Sequence, residues 1–547
     1  MLKKLKDLLD NPWFWIFMLL IGLAFWLGTM RRLASNGGKP TIDVSESKRW
    51  AKLLLVLDQV EKNYVDSVSS DGITESSLPY ILERLDPHSV YLPPKDLKEA
   101  DESLSGNFSG IGIEFNVPND TLVVINVVPN GPSERVGLLS GDRIVTIDGR
   151  NVAGVKFHQD SMMKLLRGPL NTKVNVGIKR SGEKDLLSFD ITRGIIPVHS
   201  VDAALMLSPT LGYIKISNFS LTTHKEFLAA ASKLSIQGMK SLLLDLRDNP
   251  GGYMDQANLL ANEFLNKGDK IVYMEGRMRK REDFSATGSG HFKDLRLYVA
   301  INENSASSSE IVAGAIQDND RGVIIGRRSF GKGLVQEPVY FSDNSGIRLT
   351  VARFYTPSGR CIQKPYSDDY RYDILERYQR GEMQSADSIK VNDSLKYTTV
   401  HGNVVYGGGG IIPDVFVPMD TTGVTDFLVK VNRKSLQMKF SSLFADHNRE
   451  RLNAISDYES LETLYRQESL ATQFRLYAAS EGVKPAAGEW EESGEILLEQ
   501  LKGLIGRYSA MKEDAFYHYI LKIDNVVDKV EDLDKEKDNS KTETQEQ

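Results

Sequence analysis

Apolar positions change their spacing repeatedly along the chain, and each change predicts a different kind of element. Asn11 to Met30 (NPWFWIFMLLIGLAFWLGTM) carries no charge. As a helix rising about 1.5 Å per residue it would span roughly 30 Å, one hydrocarbon core. Trp13, Trp15 and Trp26 lie toward its ends and Lys3, Lys4 and Lys6 precede it, so residues 1–10 read as a flank and 11–30 as a transmembrane anchor. A cleaved signal peptide is the alternative, against which stand the length of the run and the lack of an A-x-A site. Arg31 and Arg32 on the far side leave orientation open, and residues 31–47 form a polar linker. Across 48–105, Leu53, Leu54, Leu57, Val60 and Tyr64, then Leu78, Ile81, Leu82 and Leu85, recur at helical spacing. Residues 106–193 switch to short β-rich runs cut by Pro-Asn-Gly-Pro, Ser-Gly-Asp and Asp-Gly turns, which predicts a small β domain. Over 194–423 strands alternate with helical stretches, the pattern of an α/β sheet, interrupted by a charged insertion at about 366–400. Residues 424–530 read as helical, with a capping box at Ser456 and Glu459 and an apolar stripe at Leu497, Leu501, Leu504, Ile505 and Tyr508. Residues 531–547 hold too few apolar positions to fold and read as a disordered tail.

Composition narrows the chemistry. The 547 residues suffice for about three or four domains. With 67 Lys and Arg against 74 Asp and Glu there is no basic excess to neutralise phosphates, and nucleic acid is excluded as a main partner. One cysteine, Cys361, excludes an intrachain disulfide framework, a Cys-rich zinc site and a CxxC redox pair. Catalysis would have to use oxygen and nitrogen groups.

Three loops could supply them. Asn302 to Glu310 is a hydroxyl-rich turn between an apolar strand and a helix, where free N–H groups favour an exposed nucleophile. Ser307 with Glu310 equally fits a capping box. Gly326 to Lys332 fits G-x-x-x-x-G-K, but Gly333 follows where Ser or Thr is needed and a strand follows where a helix is needed, so a phosphate loop is excluded. Lys332 is either a solvated turn lysine or, held between glycines and buried, a neutral base. In Asp245 to Gly252 the glycines Gly251 and Gly252 would let backbone N–H groups approach an oxyanion, with Asp245 and Arg247 bracing the loop. All three loops should lie along one sheet edge.

Ser305-Ala-Ser-Ser-Ser-Glu310, Gly331-Lys-Gly-Leu-Val-Gln336, the Asp245 to Gly252 loop, Leu85-Asp-Pro-His-Ser89 with Tyr91-Leu92, Thr356-Pro-Ser-Gly-Arg360 and Gly407-Gly-Gly-Gly-Ile-Ile-Pro-Asp414 together resemble the carboxy-terminal processing peptidases, or tail-specific proteases. The resemblance runs from about Lys48 to Pro418. It implies a multidomain α/β protein with a helical region, a PDZ β domain and an α/β peptidase core, to which the sequence adds an N-terminal membrane helix and a C-terminal helical region. Carried over, the catalytic residues are Ser307 as nucleophile, Lys332 as general base and Gln336 orienting the lysine. The oxyanion hole would use Ser308 with Gly251 or Gly252. Ser308 stands where the family has alanine and Leu334 where it has Ser or Thr, so Ser308 is a competing hydroxyl. Gly110, Ile111, Gly112 and Ile113 resemble a PDZ carboxylate loop that binds a peptide C-terminus, with Arg167 as a sensor of the bound tail; a simple bend and a solvated arginine are the alternatives.

The function implied is a membrane-anchored serine endopeptidase that recognises apolar protein tails and cleaves through an acyl-enzyme, with neither metal nor other cofactor. It would sit single-pass in the inner membrane with its catalytic part in the periplasm or other extracytoplasmic space. The C-terminal helices could serve a homo-oligomer or dock an adaptor protein. Two other readings remain: a Ser-His-Asp protease using His88 or His401 with the Asp343 to Gly346 segment, and an inactive PDZ adaptor or assembly factor on a peptidase scaffold.

Overall fold

The computed structural model describes residues 51–366 and 370–545. The apolar run Asn11–Met30 lies outside them, and among the described residues no helix is long and apolar enough to cross a membrane. The two longest, Glu489–Gly506 and Asn525–Gln545, are studded with charge. This overturns the expected placement as a single-pass inner-membrane protein with an extracytoplasmic catalytic part. The helix Ala51–Asn63, which buries none of its residues, belongs to a separate small unit ending at Tyr80.

The β domain is a six-stranded antiparallel sheet of Ile113–Asn116, Leu122–Val127, Arg143–Ile147, Arg150–Asn151, Lys173–Lys179 and Leu187–Thr192, with the helix Gln159–Leu166. Val174, Val176 and Ile178 alternate inward along one strand and meet Leu122, Val124, Ile144 and Ile147 in its core.

The α/β domain is a six-stranded sheet in the order Val201–Met206, Leu211–Ile216, Ser241–Asp245, Arg296–Ile301, Val323–Gly326, Val415–Phe416. Only the first pair is antiparallel. Its central strands read as continuous apolar runs because helices such as Thr223–Ile236, Met254–Asn262 and Ser308–Asp318 cover it. A second, antiparallel sheet contains Leu334–Tyr340 and Gly346–Tyr355.

The C-terminal part is helical, as its stripe predicted: Leu497, Leu501 and Ile505 lie in one core with Phe427, Phe440, Phe444 and Phe474. Two local expectations change. The helix Tyr458–Gln467 is capped by Asp457, whose carboxylate accepts the Ser460 N–H, and not by Ser456. The helix Asn525–Gln545 runs through the expected disordered tail. Val526, Val527 and Val530 are buried against the sheet, and Arg296 donates to Asp534 at 2.6 Å, which anchors a segment whose few apolar positions read as disordered.

Candidate active site

Ser241–Asp245, Arg296–Ile301 and Val323–Gly326 are parallel neighbours, so the loops that follow them leave one edge of the sheet. Ser307 lies at the N-cap of the buried helix Ser308–Asp318 with φ 55° and ψ −112°. A non-glycine residue held there stores roughly 1–3 kcal/mol of strain, a hallmark of functional turns. Of the four serines in the loop, Ser307 alone is not buried. Ser305 Oγ donates to Leu246 O (2.8 Å), Ser308 Oγ to Gly252 O (2.9 Å) and Ser309 Oγ to Asn249 O (2.9 Å). Ser308 is therefore committed to the neighbouring loop and does not compete with Ser307.

Glu310 ties two loops together. Its fully buried carboxylate accepts Ser307 N–H (2.8 Å) and Lys332 N–H (2.9 Å) on Oε2, and Gly331 N–H (2.7 Å) and the Ser329 hydroxyl (2.5 Å) on Oε1. Burial pushes this carboxyl above its ordinary value, against the four donors. The sequence reading saw only the capping contact within the loop, because the other donors lie about twenty residues downstream.

Lys332 is half-buried, and among the described residues its ammonium enters no ion pair. Burial pushes its pKa below the usual lysine range; the Arg348 cation adds to this, and Glu310 and Asp86 oppose it. Gln336 does not bond to it: its Nε2 donates to His88 O at 2.6 Å. The insertion supports the lysine loop, a role that sequence reasoning missed. Arg377, fully buried on the helix Asp373–Gln379, donates to Ser329 O (2.7 Å) and Phe330 O (3.1 Å).

The two glycines differ. A Cβ on Gly251 would lie 2.8 Å from both Ala306 O and Ser307 Cβ, and Gly251 has φ 98°, so only glycine permits this approach. Its N–H is already donated to Asn249 Oδ1 (2.8 Å). Gly252 bridges to Phe219 through its neighbours, Phe219 N–H to Gly251 O and Tyr253 N–H to Phe219 O, so its own N–H points away from that strand. Ser308, first in its helix, likewise has an N–H without an intrahelical acceptor.

His88 and His401 do not build a triad with Ser307. His88 Nε2 meets Tyr370 Oη at 2.6 Å, and burial first, then the Lys332 charge, lowers its pKa to about 4. His401 is exposed beside Asp320 (3.5 Å), and Ser345 Oγ donates to its own turn at Asp343.

In the β domain Ile111 O accepts Ser133 N–H (3.0 Å) and Gly112 O accepts Val128 N–H (3.0 Å). In a planar trans peptide the N–H opposes the C=O, so the N–H groups of Gly112 and Ile113 face away from the domain body. Gly112 has φ 75° and Gly110 pairs with Gly194 at the end of a strand. Arg167, after the helix Gln159–Leu166, stacks on the Phe108 ring (4.2 Å) beside Gly110, and among the described residues its buried Nε has no partner.

The model of peptidase family S41 matches residues 210–372, that of the PDZ domain 109–191, and a family of unknown function 427–509. A carboxy-terminal-processing protease of Bartonella bacilliformis is 36% identical over 58% of this chain and 73% of its own length. Carboxy-terminal processing protease CtpB of Bacillus subtilis is 29% identical over 78% of this chain and 86% of its own. Among solved structures, a photosystem II D1 C-terminal processing protease is 27% identical, covering 67% of this chain and 92% of its own at a TM-score of 0.34. The chain thus belongs to the carboxy-terminal processing proteases of peptidase family S41, serine proteases carrying a PDZ domain.

Proposed function

We propose that this protease captures the apolar C-terminal tail of a protein in its PDZ groove and cleaves it with Ser307 and Lys332. The observation that supports this reading is the shared acceptor: one oxygen of Glu310 accepts the backbone N–H of both Ser307 and Lys332, which brings the two loops together. Neutral Lys332 takes the proton of Ser307 Oγ as that oxygen attacks the scissile carbonyl. The N–H groups of Gly252 and Ser308 receive the oxyanion, and the lysine ammonium returns the proton to the departing amine. Water then repeats the sequence on the acyl-enzyme. Gln336 is a residue that holds the His88 segment beside the lysine. The outward N–H groups of Gly112 and Ile113, with the unpartnered Arg167 Nε, favour a terminal carboxylate as the PDZ ligand.

Because only unprotonated Lys332 can act, activity should rise with pH through a lysine pKa already below its ordinary range. Removing a neighbouring cation raises that pKa. Arg348→Met should therefore move the acidic limb of the pH–kcat profile to higher pH and lower the rate near neutrality, with recovery in alkali. An unmoved limb would mean that another group sets it.

Tail capture is tested with an unfolded reporter protein bearing an apolar tail, with a free or an amidated C-terminus. Amidation, or Arg167→Ala in the enzyme, should raise KM about tenfold, the weight of one charge-assisted hydrogen bond. Equal KM for both termini rules tail capture out, and absence of cleavage by the unaltered enzyme would favour the inactive-adaptor reading.

A further inference from the structure

The loop that presents Gly251 and Gly252 is held from outside the peptidase core. Arg247 places its guanidinium between two carboxylates. One side meets Asp245, with Nε at 3.0 Å from Oδ1 and Nη2 at 2.7 Å from Oδ2. The other meets Asp524, with Nη1 at 3.0 Å from Oδ1 and Nη2 at 2.6 Å from Oδ2. Asp524 belongs to the C-terminal helical part, in the turn after Leu521–Ile523 and before Asn525–Gln545.

Asp245 is nearly fully buried and also accepts the Tyr213 hydroxyl (2.8 Å) and the Arg247 N–H (2.9 Å). Arg247 O accepts from Lys215. One residue on, Asp248 exchanges hydrogen bonds with Asn302 at 2.9 Å in each direction, which joins this loop to the serine loop. Asn249 then holds Gly251. A carboxylate at 524 thus sets the fork of Arg247, and Arg247 sets the start of the loop that ends at the oxyanion donors.

The same helical part grips the PDZ domain. Asp446 pairs with Arg143 of the strand Arg143–Ile147, and Ile125 of the PDZ sheet packs in one cluster with Phe444 and Leu452. We infer that Asp524 is a positioning residue for the oxyanion loop, acting through Arg247, and that the C-terminal helical part is thereby a structural requirement for the chemical step as well as a support for the PDZ domain. This rests on the Ser307 and Gly252 assignments above.

The test is kcat and KM of Asp524→Asn on the tailed reporter, per active site titrated with a serine-reactive phosphonate. The amide keeps the volume but loses the charge that orients the fork. The expected result is a fall in kcat of about tenfold, the scale of a sub-ångström misplacement of the donors, with KM unchanged. Asp524→Glu should recover part of it. Arg247→Lys, which keeps the charge but cannot span both carboxylates, should lose as much, and the double variant no more. Wild-type kcat per titrated site in Asp524→Asn overturns the inference. If that variant does not fold, wild-type kcat in Arg247→Lys does so. Ser307→Ala run alongside separates the two failures: an inert Ser307→Ala with an unaffected Asp524→Asn sinks this inference alone, whereas an active Ser307→Ala sinks the reading beneath it.

Discussion

Ser307→Ala is expected to lower kcat by about 10⁴- to 10⁶-fold while leaving the protein folded and its PDZ groove competent to bind a tail. In the proposed mechanism the hydroxyl is the atom that bonds to the substrate, so its loss would remove the covalent route and leave only binding and oxyanion stabilisation. Lys332→Ala should cost about as much if, as proposed, nucleophile and base act as one unit, and the double variant should be no worse than either alone. Lys332→Arg should not rescue, because a guanidinium cannot shed its proton near neutral pH. Ser308→Ala is the control for register. Its hydroxyl is spent on Gly252 O, so that variant should keep most of its activity. Hydrolysis of the reporter, with tail binding measured separately, reads all five. A dead Ser308→Ala beside an active Ser307→Ala would move the nucleophile by one residue.

Much of this site was legible in the chain because strand-to-helix loops carry local signatures. The hydroxyl run of 302–310 and the glycines of 245–252 and 326–333 follow apolar strands, and parallel neighbours bring such loops to one edge. What local pattern cannot report is where a side chain's partner lies. Ser307 and Ser308 look alike in sequence; they are told apart by Gly252 O, over fifty residues away. Gly251 and Gly252 are equivalent as letters, and Asn249 decides between their N–H groups. Gln336 read as the lysine's partner, and the bond its Nε2 makes goes to His88 O, far away in the chain. The C-terminal segment 531–547 read as a disordered tail from its scarcity of apolar positions. The three valines Val526, Val527 and Val530, with Arg296 waiting across the sheet, were enough to seat it.

Glu310 is where the local reading fell furthest short, and it carries the second large expectation. As a capping residue its loss would cost about 1 kcal/mol. In the fold its carboxylate is the acceptor for three backbone N–H groups and one hydroxyl drawn from two loops. Glu310→Ala strands those donors in a buried site, at about 1–3 kcal/mol for each one that finds no water. Glu310→Gln is the more informative change. It keeps the volume but puts an NH₂ where one carboxylate oxygen accepted two donors, so either the Ser307 and Lys332 pair or the Ser329 and Gly331 pair faces a donor. The loops must then part. A shift of about 1 Å between nucleophile and base costs on the order of 10²-fold in rate. The expected result is a folded Glu310→Gln protein with a lowered melting temperature, kcat down by about 10²-fold or more and KM for the tailed reporter little changed, since the PDZ groove is untouched. Wild-type kcat in Glu310→Gln would mean that the loops keep their distance without the shared acceptor, and the pairing of Ser307 with Lys332 would then lose its structural footing.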